Sequence, residues 1–171
     1  MAKKAATNPL SGSTKIAVLV GKEPFLQAEY TNQLRDALTK AHGEVDTIRF
    51  DGLSAALADV LDECRTFGLM QQHKLVVVEN AEQLIKEDSR PLIERYAEAP
   101  VEGATLLLRA ERWYPGKLDK LIEAGGGSVI KFEEIPPGTA MTWAMKRSEK
   151  RHGAKLDPAA AELLVTRIGA E

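Results

Sequence analysis

The chain has 171 residues, 44% of them hydrophobic and 28% charged, with a formal net charge of −2. That length supports one ordinary domain with the start of a second, and the near-neutral balance excludes a molecule that traps nucleic acid by bulk charge. A single cysteine, Cys64, at an apolar helical position, excludes an internal disulfide and a cysteine-based zinc site.

His42, His73 and His152 are scattered without metal-ligand spacing and fall near predicted element ends, so each is expected at the surface. No metal or other cofactor is expected. The longest apolar runs are about five residues, against the ~20 that span a bilayer, so no membrane contact is expected. The opening MAKKAATNPLSGSTK is positively charged but has no apolar core after it. It reads as a loosely attached tail over residues 1–14 rather than a signal peptide, and a cytoplasmic location follows as the default.

Ile16–Val20, IAVLV, is a continuous apolar run of the kind buried on both faces of a sheet. Tyr30, Leu34, Ala37, Leu38 and Ala41 then recur at helical spacing, and His42-Gly43 closes that helix. EVDTIRF is a second predicted strand through Val45, Ile48 and Phe50, ended by Asp51-Gly52. Leu53, Ala56, Leu57, Val60, Leu61 and Cys64 form a helical stripe with Ser54 as a cap near its start. KLVVVEN (Lys74–Asn80) reads as a strand because adjacent valines crowd a helix. A helical segment follows, interrupted around Asp88-Ser89-Arg90-Pro91, and a fresh helix carries Leu92, Ile93, Tyr96 and Ala97. ATLLLRA (Ala104–Ala110) is a strand, KLDKLIEA (Lys117–Ala124) a short helix, and SVIKFEEI (Ser128–Ile135) the last strand.

Five strands alternating with four helical segments over residues 15–138 predict an α/β fold. The expected architecture is a five-stranded, mostly parallel sheet with helices on both faces. Pro136-Pro137-Gly138 breaks the pattern, Thr139–Gly153 reads as one helix, and Asp157-Pro158 caps another. Two helices cannot bury an apolar face alone, so residues 139–171 read as the first helices of a second, helical domain that is cut short.

The strand–glycine–helix passage VGKEPFLQAEY invites comparison with a phosphate-binding loop, G-x-x-x-x-G-K-[ST]. With Gly21 as the first glycine, Leu26, Gln27 and Ala28 stand where Gly, Lys and Ser/Thr belong. None can wrap a phosphate, reach a β/γ oxygen or hold magnesium. Lys22 comes too early, and Glu23 adds negative charge where a triphosphate would sit. At the end of the KLVVVEN strand, Glu79-Asn80 replaces the Asp-Glu of an NTPase, and Glu79 is expected to cap or turn the chain. No nucleophile–base set or carboxylate dyad appears, so no catalysis is expected of the chain itself.

The degenerate phosphate loop, the phrase GKEPFLQAE, an apolar-tipped loop ahead of KLVVVENA and a late tryptophan before a helical region together resemble the delta subunit of bacterial DNA polymerase III. The resemblance runs from about residue 16 to the end. It implies an AAA+-like domain without ATPase activity that binds and opens the ring-shaped sliding clamp (the beta subunit) during DNA replication. Such a subunit is part of a DNA-directed DNA polymerase holoenzyme. It would assemble with gamma/tau and delta prime subunits, and meet primed DNA through the assembled complex.

Its most specific stretch is FGLMQQHKLVVVENA, Phe67 to Ala81. In that family a hydrophobic pair sits on a loop ahead of a basic residue and an apolar strand. Leu69 and Met70 take the pair's place here, flanked by Phe67, Gln71 and Gln72, and Lys74 opens the strand. The family commonly has phenylalanine where Met70 stands. From residue chemistry alone, Leu69 and Met70 either tuck under the sheet or present an exposed apolar pair to a partner pocket.

KRSEKRHGAK (Lys146–Lys155) is either a solvated helix face or, through Lys146, Arg147, Lys150 and Arg151, a candidate DNA contact. Two rival readings remain: a nucleotide-dependent enzyme with an unorthodox site around Gly21–Phe25, and another inactive AAA+ module such as the stator-like clamp-loader subunit. The stator version is expected to carry zinc-binding cysteines, and this chain has only Cys64.

Overall fold

The structure, a computed structural model, describes residues 10–66, 72–132 and 136–168. Five strands, β1 (Ile16–Val20), β2 (Val45–Asp51), β3 (His73–Glu79), β4 (Ala104–Ala110) and β5 (Ser128–Lys131), form one sheet in the order β2-β3-β4-β1-β5. Every pairing is parallel. The helices between them are α1 (Pro24–His42), α2 (Leu57–Arg65), α3 (Ala81–Leu84), α4 (Arg90–Glu98) and α5 (Lys117–Ala124). α6 (Pro137–His152) and α7 (Pro158–Ile168) follow as a helical pair.

The near-continuous apolar strands are explained by two cores, one on each face of the sheet. Ile16, Val18, Val20, Val76, Val78, Leu106 and Leu108 point to one side, under Leu57, Val60, Leu61 and Cys64 of α2, Ile93 of α4 and Leu118 and Ile122 of α5. Ala17, Leu19, Leu75, Val77 and Leu107 point to the other, against Leu34 and Leu38 of α1. The alternation is the period-two geometry of a strand.

Several expectations need correction. Leu10 is buried in the α1-side core, and Thr14 is buried with its hydroxyl accepting from Ser11 N–H at 2.9 Å, so residues 10–14 are docked rather than a loose tail. α2 begins at Leu57, not near Leu53, and Ser54 caps nothing. Asp51 takes over that turn: its carboxylate accepts from Leu53 N–H at 3.0 Å, and its carbonyl accepts from Ala55 N–H at 2.8 Å. The last strand is described only as far as Lys131.

His73 is buried rather than superficial. Its ring stacks on that of His42 at 4.1 Å, and its Nε2 lies 2.9 Å from the Thr105 hydroxyl. Burial first, then the charges of His42 and Lys15, push its pKa down from 6.5 to about 4.

Candidate functional site

At the C-terminal ends of β1, β3 and β4, where α/β sheets usually place their ligands, the chain builds a polar bridge of its own. Gln27, in the first turns of α1, is buried and donates from Nε2 to the carbonyls of Gly21 (2.8 Å) and Ala110 (3.2 Å). Its Oε1 accepts from Arg109 Nε at 3.2 Å. Arg109 in turn donates to Glu79 Oε1 at 2.8 Å, and Arg49 lies 3.5 Å from the same oxygen. Glu79 is therefore an ion-pair partner within the sheet end, not a cap. Asn80, beside it, holds a left-handed backbone (φ 51°) and donates to Asp51 Oδ1 at 2.9 Å.

Gly21 is required where it stands. Its φ is +145°, its N–H donates to Ala110 O at 2.9 Å, and a Cβ there would lie 2.8 Å from the Phe132 carbonyl oxygen. The space left among Gly21, Lys22, Gln27, Glu79 and Arg109 is about 180 Å³, below the roughly 300 Å³ at which small-molecule pockets begin.

The opposite end of the sheet carries a second feature. There α2 ends at Arg65, and β3 starts at His73. Lys74, 6% exposed, reaches back to that helix end. Its Nζ donates to the Glu63 carbonyl at 3.3 Å, to the Glu63 carboxylate and to the Thr66 hydroxyl at 3.0 Å. Gln72 Nε2 donates to Glu44 Oε2 at 2.9 Å. Phe67, Leu69, Met70 and Gln71, four of the five sequence-predicted contact residues, lie outside the described residues; Gln72 is the fifth.

The basic segment of α6 divides in two. Arg147 lies 3.5 Å from Glu29 of α1, with its guanidinium 4.5 Å from the Phe25 ring centre and 5.0 Å from that of Trp143. Phe25 and Trp143 meet edge to face at 4.9 Å. Arg151 also approaches Glu29, at 3.7 Å. Lys146 and Lys150 are exposed, on the rim of a groove between α1 and α6.

A family model described as "DNA polymerase III, delta subunit" matches residues 18–134. The chain belongs to that family. Among curated proteins, none matches the sequence. Of solved structures, the DNA clamp loader delta protein of Bacillus subtilis is similar, with a TM-score of 0.63 and 22% identity over 88% of this chain and 47% of its own. The RuvB Holliday junction branch migration motor of Thermotoga maritima is similar at a TM-score of 0.58 and 14% identity, over 90% of this chain and 49% of its own. At those identities the likeness concerns the fold, which is AAA+-like. The delta-family chain spans about half the length of these structures.

Sequence reasoning identified what this delta-family phosphate loop lacks but missed what replaced it. The signal was present: a glutamine at the lysine position, with an arginine next to the end of a mostly apolar strand. The Glu63–Lys74 clasp joins residues eleven apart in sequence, and no periodicity reports such a pair.

Proposed function

We propose that this chain is the clamp-gripping part of a clamp-loader delta subunit. It binds the beta sliding clamp through Leu69 and Met70, with Phe67, Gln71 and Gln72 around them, and favours the open ring without hydrolysing ATP. The observation that carries the reading is the self-bridged phosphate end, in which Gln27 makes the bonds of a filled site inside a chain of the delta family. With only about 180 Å³ left at that end of the sheet, the reading is of a chain that acts through its surface.

The apolar pair supplies the attraction. Burying a leucine and a methionine contributes on the order of 3–5 kcal/mol before entropic costs, enough to anchor a contact and too little to supply its whole affinity. The helical pair α6–α7 connects the grip to gamma/tau and delta prime subunits in the cytoplasm, where their ATP turnover governs its exposure. Of the basic residues, exposed Lys146 and Lys150 are suited to approach phosphates of primed DNA in the assembled loader, while Arg147 and Arg151 serve Glu29.

A pull-down on immobilised sliding clamp tests the reading. Wild-type chain is retained, and Leu69→Ala/Met70→Ala is washed through. Equal retention of both proteins overturns it.

A further inference from the structure

We propose that the groove between α1 and α6 binds single-stranded DNA, with a base stacked on Trp143 and successive phosphates along Lys146 and Lys150. The inference rests on the DNA contact proposed above for those lysines and deepens it. It names the form of DNA and the aromatic side chain that meets it.

The groove encloses about 490 Å³, with Leu26 and Tyr30 of α1 on one wall and Trp143, Lys146 and Lys150 of α6 on the other. That exceeds the roughly 300 Å³ at which ligand sites begin. Trp143, Lys146 and Lys150 recur at spacings of three and four, which sets them on one face of the helix with the lysines about 6 Å apart along its axis.

The charge in the groove is not cancelled. Among the described residues neither lysine has an ion-pair or hydrogen-bond partner. Glu29, the only carboxylate among the described residues lining the groove, is taken by Arg147 at 3.5 Å and Arg151 at 3.7 Å. Positive charge is therefore left over at this face of a chain whose formal net charge is −2.

Trp143 is held without being buried. It is 38% exposed, yet the Phe25 ring meets it edge to face at 4.9 Å and the Arg147 guanidinium lies 5.0 Å from its ring centre. A large ring already fixed at the surface loses little freedom on contact, which suits it as a stacking platform.

A cationic wall with an aromatic platform is the chemistry that holds single strands. A duplex offers such a wall only its phosphates, because its bases are already stacked on one another. An unpaired strand offers phosphates and a free base face together. An acidic peptide would match the lysines but anchors a helix through apolar residues at i, i+3, i+4 and i+7. On the α6 wall Trp143 is the one apolar side chain lining the groove, and Lys146, Arg147, Lys150 and Arg151 follow it.

The test is fluorescence anisotropy of a labelled oligothymidylate of about twelve nucleotides, within the range of single-strand site sizes. A duplex of the same length and an oligoglutamate of the same charge serve as competitors. Saturable binding by the wild type is expected, with log affinity falling against log salt at a slope of about −1.4, for two phosphates at about −0.7 each. Lys146→Ala/Lys150→Ala is expected to lower affinity at least about tenfold and to remove most of that slope. Trp143→Leu is expected to lower affinity about fivefold or more at fixed salt while leaving the slope in place, and Trp143→Phe to recover part of the loss. The strand quenches indole fluorescence in the wild type but not in Trp143→Phe, where Trp113 is the remaining indole. That variant also carries the test if Trp143→Leu does not fold.

No saturable binding, or wild-type affinity in the lysine variant, overturns both the DNA contact and this inference. Duplex bound as tightly as the single strand, or wild-type affinity in both Trp143 variants, overturns this inference and leaves a contact to phosphates alone. Displacement of the strand by an equal concentration of oligoglutamate overturns it in favour of an acidic peptide. The pull-down on the sliding clamp reads the grip separately, so either can fail while the other stands.

Discussion

Gln27 donates to the Gly21 carbonyl at 2.8 Å from the position at which a phosphate-binding loop carries its lysine. A side chain that elsewhere serves a ligand here ties the loop to the helix. The same amide reaches Ala110 and Arg109, so the end of the sheet is cross-linked where a nucleotide would otherwise bridge it.

Mg-ATP is therefore expected to leave the melting temperature unchanged at millimolar concentration, since a ligand that binds the native state must raise it. Restoring the lysine does not restore the site. Gln27→Lys removes a donor from two backbone carbonyls and sets a second cation beside Arg109. The expected cost is about 1–3 kcal/mol in urea denaturation, the usual penalty for buried polar groups left unmet.

Arg147 joins the helical pair to α1 by an ion pair with Glu29 and by the Phe25 ring, and also lies over Trp143 of its own helix. Replacing it with alanine is expected to cost about 1–2 kcal/mol, from cation–π contact and a partly buried charge pair together. Hydrogen exchange locates that loss: amides of α6 exchange faster, while those of β1, β3 and β4 keep their protection.

The buried His73 makes stability pH-dependent with a definite sign. Its pKa is lowered to about 4 from 6.5, so the unfolded chain binds more protons between those values, and stability falls as pH falls through that window. The contribution is complete above pH 6.5 and lost near pH 4. His42 and Lys15 face the ring and oppose its protonation. Denaturation midpoints from pH 7 to pH 4 check this, and His73→Gln, which keeps a hydrogen-bonding group toward Thr105, is expected to flatten the slope.

Burial raises the Cys64 thiol to about 11, outweighing the Tyr96 hydroxyl and the nearby Lys74 and Arg65 charges. The native chain is expected to react with a thiol reagent at well under about 1% of the rate of the unfolded chain, since the thiolate is the reactive form and access needs opening. Fast labelling of the folded protein would contradict the α2 packing.

The sheet was legible because its strands are buried on both faces, so that IAVLV, KLVVVEN and ATLLLRA stand out as apolar runs, and β4 and α5 match their predicted bounds. The start of α2 was misread because Leu53 continues the helical stripe by spacing, yet it stands 69% exposed in a turn held by Asp51. His73 was misread because its burial depends on His42 and Thr105, which lie 31 and 32 residues away in sequence. The candidate site divided the same way. Absence of a phosphate motif is a local property and is visible in a string of residues, whereas the Gln27–Arg109–Glu79 bridge unites three elements. Of the loop that the family resemblance marks, only the stems belong to the described residues: Thr66 and, on the far side, Gln72.

The most direct test of a grip that works without nucleotide is calorimetric titration of the sliding clamp into the wild-type chain and into Leu69→Ala/Met70→Ala, each with and without Mg-ATP. The account predicts saturable binding by the wild type that Mg-ATP leaves unchanged, and a loss of at least about 100-fold in the variant, as expected when a central apolar anchor pair is removed. Equal affinity of the two proteins, or wild-type binding that appears only with Mg-ATP, would contradict it.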